Sequence, residues 1–304
     1  MTRPGPSSPR SAVSPSGKPP TPNTAGEMLD AARAFLVRKE IEEARLEGEL
    51  LVAGALGLSR LELFMQLERP VTAPEVDAAR DALVRRGRRE PVAYITGSRE
   101  FYGRDFQVSA GVLIPRPETE LLVDLVRDWA RGREHSSPLR LADLGCGSGC
   151  LALTLALELE SPQVLAVDLA PAAVEATRRN AERLGATCEV LLGDGLELLL
   201  SLAPFTVLVS NPPYIEPKEA AELPPDVREF EPELALFAPE GDPDFWLRSI
   251  VEALPRLIEA EGRAFVELGW QQSERALELA REAGLQARLH DDLARIPRVI
   301  ELGL

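Results

Sequence analysis

From Thr24 to about Glu90 the apolar positions recur at three- and four-residue intervals, the period of helices with one buried face. Leu29, Ala32, Phe35 and Leu36 make the first such face, and Thr24 with Glu27 has capping-box spacing ahead of it. A second run passes through Leu46, Leu50, Leu51 and Ala53 and stops near Gly57. Ser59 with Glu62 opens a third, leading to Leu63, Phe64 and Leu67. Thr72, Pro74 and Glu75 open a fourth, carrying Val76, Ala79 and Leu83. The pattern predicts a small α-helical bundle with its own core over residues 24–90.

The rhythm changes at Pro91. Gly97, Gly103 and Gly111 punctuate short runs, VAYI, DFQV and GVLI, which read as β-like and predict a β-hairpin linker over 91–117. From Glu118 to the end, strand and helix patterns alternate. The expected strands are Leu139–Leu144, Gln163–Val167, Cys188–Leu192, Phe205–Ser210 and Ala264–Leu268. Such alternation predicts an α/β domain over 118–304, with a mostly parallel sheet covered on both faces. Residues 1–23 are dense in Pro, Ser and Thr with almost nothing apolar to bury, so a disordered tail is expected there. Arg3, Arg10 and Lys18 make that tail basic, but its seven prolines oppose the amphipathic helix of a transit peptide.

Composition narrows the classes of function. The 304-residue chain is 45% hydrophobic and carries a net charge of -15, so its average surface repels a polyanion and no direct nucleic-acid binding is expected. Arg80, Arg85, Arg86, Arg88 and Arg89 make one local basic run, readable as cations near a helix C-terminus or as a docking patch for an acidic partner. Cys146, Cys150 and Cys188 contain no CxxC pair, and His135 and His290 lie far apart, so neither a disulfide framework nor a metal site is expected. No apolar run reaches bilayer length and the N-terminus lacks a secretory core, so the expectation is a cytoplasmic protein, a monomer with no membrane partner.

The chemistry is concentrated at strand ends. Asp143-Leu144-Gly145-Cys146-Gly147-Ser148-Gly149 joins a buried strand to a helix, where doubly wound sheets bind ligands. Its glycine spacing is GxGxG, not the GxGxxG of a dinucleotide site, and Asp143 precedes it. A carboxylate there would repel a phosphate and suits the cationic amino group of an aminoacyl sulfonium. Asp168 ends the next strand, placed to bind both hydroxyls of a ribose. Asp194 follows the third, placed to meet an adenine amino group, with Gly195 leaving room for the ring. The fourth strand runs into Asn211-Pro212-Pro213-Tyr214. Prolines stiffen this turn and leave carbonyl acceptors, Asn211 adds another, and Tyr214 offers a flat face. That set suits a planar NH2 on an sp2 carbon: two acceptors hold its hydrogens and aim its lone pair at a methyl donor.

The segments Asp143–Gly149 and Asn211–Tyr214 together resemble the amino class of Rossmann-like methyltransferases. Pro91–Gly97, Arg99–Tyr102, Leu113–Glu120, Glu231-Pro232, Ala235-Leu236 and Glu267–Gln272 narrow the likeness, over residues 24–304, to the release-factor glutamine N(5)-methyltransferases. The resemblance implies a class I domain whose mostly parallel sheet has an antiparallel C-terminal strand, and a substrate-recognition role for the helical bundle. It implies S-adenosylmethionine as cofactor, bound by Asp143, Gly145, Cys146, Gly147, Ser148, Gly149, Asp168, Asp194, Gly195 and Asn211. It implies that Asn211, Pro212, Pro213 and Tyr214 hold the glutamine of a Gly-Gly-Gln motif in a peptide-chain release factor, with Asn211, Pro212 and Tyr214 catalytic. Phe101 and Ile114–Pro117 are implied to line the pocket. Arg295 stands where the family usually has glycine, a departure that bears on local strand geometry and not on the chemistry. Three other readings stay open at this point: a ribosomal-protein glutamine methyltransferase, an N6-adenine nucleic-acid methyltransferase, and a non-catalytic cofactor-binding module.

Overall fold

A computed structural model describes residues 21–132 and 138–304; most of the expected tail, and His135, lie outside them. The chain divides between Arg88 and Arg89 into two compact units. The first contains α1 (Ala25–Arg38), α2 (Ala44–Leu56), α3 (Arg60–Met65) and α4 (Ala73–Arg86). Local chemistry starts and stops these helices. The Thr24 side chain accepts from Glu27 N, Ser59 and Thr72 form capping boxes with Glu62 and Glu75, and α2 ends on Gly57 in the left-handed region. Met28, Leu29, Val52, Leu63 and Val76 meet in the core of the unit. The basic run is not a uniform solvated face. Arg86 is buried and binds Glu47 through Nε at 2.6 Å and Nη2 at 3.0 Å. Buried Glu49 receives Arg33 at 2.7 Å and Arg60 at 2.6 Å. Burial pushes its pKa up, but bonds from Arg60, Arg33 and Arg45 outweigh that and hold it below the ordinary value.

The second unit opens with α5 (Val92–Thr96), so VAYI is helical and not a strand. Pro91 caps it in front, and Gly97, at φ 75°, ends it in the left-handed region. The hairpin is β1 (Ser98–Phe101) paired with β2 (Arg104–Gln107); GVLI forms no strand. Then come α6 (Glu120–Arg131), β3 (Arg140–Leu144), α7 (Cys150–Glu158), β4 (Gln163–Asp168), α8 (Pro171–Leu184), β5 (Glu189–Leu192), α9 (Gly195–Leu202) and β6 (Phe205–Ser210). The remainder is α10 (Pro225–Phe230), α11 (Glu233–Leu236), α12 (Phe245–Leu257), β7 (Ile258–Glu267), α13 (Ser273–Glu282), β8 (Gln286–Asp291) and β9 (Pro297–Gly303).

The main sheet has seven strands in the order β5-β4-β3-β6-β7-β9-β8. β9 alone runs opposite to the other six strands, pairing antiparallel with both β7 and β8. Side chains alternate across the sheet as a two-residue period requires. Val207 and Val209 of β6 face α6, α7 and α8, while Leu208 faces the side covered by α9, α12 and α13. The central strands β3, β4 and β6 are buried on both faces, which explains their near-continuous apolar runs, whereas the edge strand β8 is largely exposed. Strand order reverses between β3 and β6, and a crevice opens at their carboxyl ends, where doubly wound sheets bind ligands.

Candidate active site

The glycine turn after β3 hooks onto the neighbouring strand: Gly145 N and Cys146 N both donate to Val167 O, at 2.9 and 3.1 Å. Gly145, Gly147 and Gly149 all take positive φ, at 79°, 56° and 81°. Gly149 is required twice, because a Cβ there would also lie 2.8 Å from Thr177 Cγ2. Asp168 closes the turn from below. Its Oδ2 accepts from Gly147 N and its Oδ1 from Ala170 N, both at 2.9 Å. Burial raises the Asp168 pKa, partly offset by those backbone donors. Each of its oxygens keeps a lone pair for a ligand hydroxyl.

A cleft lies over this turn. Gly145, Gly147, Asp168, Gly195, Asn211, Pro212 and Pro213 all contribute to its wall, with Leu144, Val167, Leu169 and Trp246 supplying apolar surface. The other expected residues sit differently. Cys146, Ser148 and Gly149 lie in the turn but outside the cleft wall. Asp194 is exposed and caps α9, its Oδ1 accepting from Glu197 N at 3.3 Å. At Gly195 a Cβ would fall 2.2 Å from Leu144 Cδ1, so the missing side chain makes room for Leu144 as well as for a ligand. Asp143 is fully buried behind the turn. Its Oδ2 accepts from Ala152 N at 3.1 Å, and its Oδ1 is buried with no partner among the described residues. Burial pushes its pKa up to about 7, the Ala152 amide opposing and nearby Asp168 adding. An orphaned carboxylate oxygen beside a bare glycine turn fits a ligand that brings a cation, as the amino group of S-adenosylmethionine would. Burial also raises all three thiols, Cys150 and Cys188 to about 12, so none is a thiolate at neutral pH.

A second cavity adjoins the first. The two share Leu113, Asn211, Pro212, Pro213 and Ala235. Tyr214 lines only the second, beside Arg116, Val227 and Leu236. Its ring sits where a Cβ on Gly269 would come within 2.8 Å, and burial pushes its hydroxyl up to about 12, so it stays a neutral phenol. The proline loop is anchored at its start, where Ser210 Oγ donates to Leu144 O at 2.8 Å. Asn211 Nδ2 donates to Thr119 Oγ1 at 3.2 Å, and its Oδ1 takes no hydrogen bond from the described residues. No cluster of His, Cys, Asp or Glu suited to a metal occurs among the described residues.

Two family models match the chain: the PrmC N-terminal domain over residues 27–97 and the Methyltransferase small domain over 119–223. The release factor glutamine methyltransferase of Geobacter sulfurreducens is 40% identical over 86% of this chain and 89% of its own length. That of Chlorobaculum tepidum is 42% identical over 80% and 84%, and that of Koribacter versatilis 37% over 91% and 97%. This chain belongs to the release factor glutamine methyltransferase family.

Some features expected of the family take different places here. Phe101 is 1% exposed and meets Phe106 edge-on in the core, so it does not line either cavity. Of Ile114–Pro117, Arg116 alone lines one of the two cavities and Ile114 is buried; Leu113, just before them, lines both. Arg295 adopts φ 62° in the turn between β8 and β9, the left-handed geometry a glycine would take. Asp292 braces that turn, accepting from Ala294 N at 2.8 Å and Ile296 N at 3.0 Å.

Four residues that position the site have no role legible in the sequence. Glu231 clamps the loop ahead of α6, accepting from Ile114 N at 3.1 Å and Arg116 Nη2 at 2.6 Å. Asn180 binds both Gln107 N and Gln107 O and donates to Ser148 O, tying the hairpin to the glycine turn. Thr119 and Glu267 form the remaining pair: Thr119 Oγ1 donates to Glu267 Oε2 at 2.7 Å.

Proposed function

We propose that this chain transfers the methyl group of S-adenosylmethionine to the side-chain amide nitrogen of the glutamine in the Gly-Gly-Gln motif of a peptide-chain release factor, in the cytoplasm. One observation carries the reading: Asn211, Pro212 and Pro213 form the wall shared by two adjoining cavities, and Asn211 Oδ1 takes no hydrogen bond from the described residues. Family membership supports the choice of substrate.

Bound S-adenosylmethionine supplies an electrophilic methyl on a sulfonium that is already an activated leaving group. Gly145 and Gly147 would leave the backbone bare for it, Asp168 would accept from its ribose, and Asp143, buried behind the turn, would balance its amino cation. In the second cavity, Asn211 Oδ1 and the Pro212 carbonyl oxygen accept from the two hydrogens of the glutamine NH2. That grip disfavours the planar, delocalised nitrogen and directs its lone pair toward the first cavity. Tyr214, held neutral, packs on the amide plane without adding charge. Neither Asn211 Oδ1 nor the Pro212 oxygen is basic enough to remove a proton, so the nitrogen loses it to solvent after transfer, when it is far more acidic.

The test is methyl transfer from labelled S-adenosylmethionine to purified release factor, to ribosomal proteins and to duplex DNA in parallel. Label on the release factor is expected. Label confined to ribosomal proteins or to DNA would replace this substrate with another, and cofactor binding without transfer to any of the three would point to a non-catalytic module.

A further inference from the structure

We propose that Thr119 and Glu267 are positioning residues that set the polarity of the Asn211 amide, keeping its carbonyl oxygen and not its NH2 toward the reacting nitrogen. The inference rests on the role given to Asn211 above. A carboxamide can rotate by half a turn and exchange its oxygen for its nitrogen with little change in shape. In the wrong orientation Asn211 would face the substrate NH2 with hydrogens against hydrogens.

The described contacts remove that freedom. Glu267 is 2% exposed, at the carboxyl end of β7, and Thr119 is 3% exposed, just before α6. An ionised carboxylate only accepts, so the single hydroxyl proton of Thr119 must point at Glu267 Oε2, 2.7 Å away. Thr119 Oγ1 then has only lone pairs to offer Asn211. It accepts from Asn211 Nδ2 at 3.2 Å, which leaves Oδ1, without a donor among the described residues, as the acceptor that this cavity-lining side chain can offer a ligand. Carboxylate, hydroxyl and amide thus form a one-way chain ending at the substrate position. Protonating Glu267 allows the chain to reverse: its new O–H can donate to Thr119, whose hydroxyl can then donate to Asn211 Oδ1. Glu267 is faced by Thr119, Glu118 and Arg116 from the segment before α6, by Cys150 of α7, by Arg298 of β9, and by Tyr214 of the proline loop. Burial dominates this balance and pushes its pKa up to about 7.

The test compares Thr119→Val, Thr119→Ser, Glu267→Gln and Asn211→Ala in the full chain, with S-adenosylmethionine and purified release factor. Loss of a buried hydrogen-bond partner predicts that Thr119→Val lowers kcat by about ten- to a hundredfold. KM for release factor and calorimetric affinity for S-adenosylmethionine should stay within about threefold. Thr119→Ser keeps the hydroxyl and should recover most of the rate. At saturating substrates the wild-type kcat should fall as pH drops through about 7. Glu267→Gln, which cannot titrate, should give a lowered and flat profile and serves even if Thr119→Val does not fold. A Thr119→Val rate within twofold of wild type, a Thr119→Ser rate as low as that of Thr119→Val, or an undiminished acid limb in Glu267→Gln would overturn the relay while leaving Asn211 in its role. An active Asn211→Ala would instead remove the reading beneath it.

Discussion

Two buried carboxylates in this site carry raised pKa values, and their consequences follow from charge. Burial lifts Asp143 from 3.8 to about 7 and Glu267 from 4.5 to about 7. A native group that holds its proton more tightly than the unfolded chain does contributes less to stability as that proton is lost. Stability of the ligand-free protein should therefore fall as pH rises from the ordinary carboxylate range to about 7, which thermal unfolding across pH will show. A cationic ligand beside Asp143 reverses the preference and drives the proton off. Binding of S-adenosylmethionine slightly below pH 7 should thus release a proton. Calorimetry in buffers of differing ionisation enthalpy measures it; a buffer-independent heat would separate Asp143 from the amino group.

At the scale of elements, Asn180 joins three parts of the fold. It sits on α8 and bonds β2 and the carbonyl of Ser148. Asn180→Ala would leave the buried Ser148 oxygen and the part-buried Gln107 backbone without that partner, at a cost of roughly 1–3 kcal/mol. The expected result is a lower unfolding temperature together with weaker cofactor binding, because the glycine turn loses its brace. Arg295 gives a prediction of opposite sign. A non-glycine residue in the left-handed region costs on the order of 1 kcal/mol, so Arg295→Gly should raise the unfolding temperature by a few degrees. An unchanged or lower temperature would mean that the Asp292 bonds already remove the strain.

What was legible in the sequence was what is local. Helix caps, the glycine turn and the acid at the end of β4 each declare themselves within a few residues. VAYI misled because four apolar residues carry no period; the Pro91 cap and the Gly97 stop, which decide for a helix, lie just outside the run. β8 and β9 were not delimited as strands, although an antiparallel C-terminal strand was implied by resemblance. Thr119, Glu231 and Glu267 fall within segments that carry the resemblance and Asn180 in none, but no role could be given to any of the four. Their partners lie 117, 73 and 148 positions away, and such pairing leaves no mark in spacing. Asp143 looked like a wall residue because the sequence gives its neighbours but not the direction of its side chain.

At the scale of the molecule, every residue lining the two cavities falls between Gly111 and Trp246, inside the second compact unit. That unit has its own core on both faces of the sheet. Residues 89–304 alone should therefore bind S-adenosylmethionine with an affinity within about threefold of the whole chain. Much weaker binding would mean that the helical unit shapes the cleft. We propose that the helical unit contributes to recognition of the release factor, so transfer by the fragment should suffer through KM before kcat.

The central claim is that Asn211 holds a glutamine amide at the junction of two cavities. Fragment mass spectrometry of release factor, after incubation with S-adenosylmethionine and either wild type or Asn211→Ala, tests it most directly. The account expects one methyl on the glutamine side chain of the Gly-Gly-Gln peptide with wild type and none with Asn211→Ala, whose cofactor affinity stays within about tenfold. A methyl on any other residue, or the same methyl formed by Asn211→Ala, would contradict it.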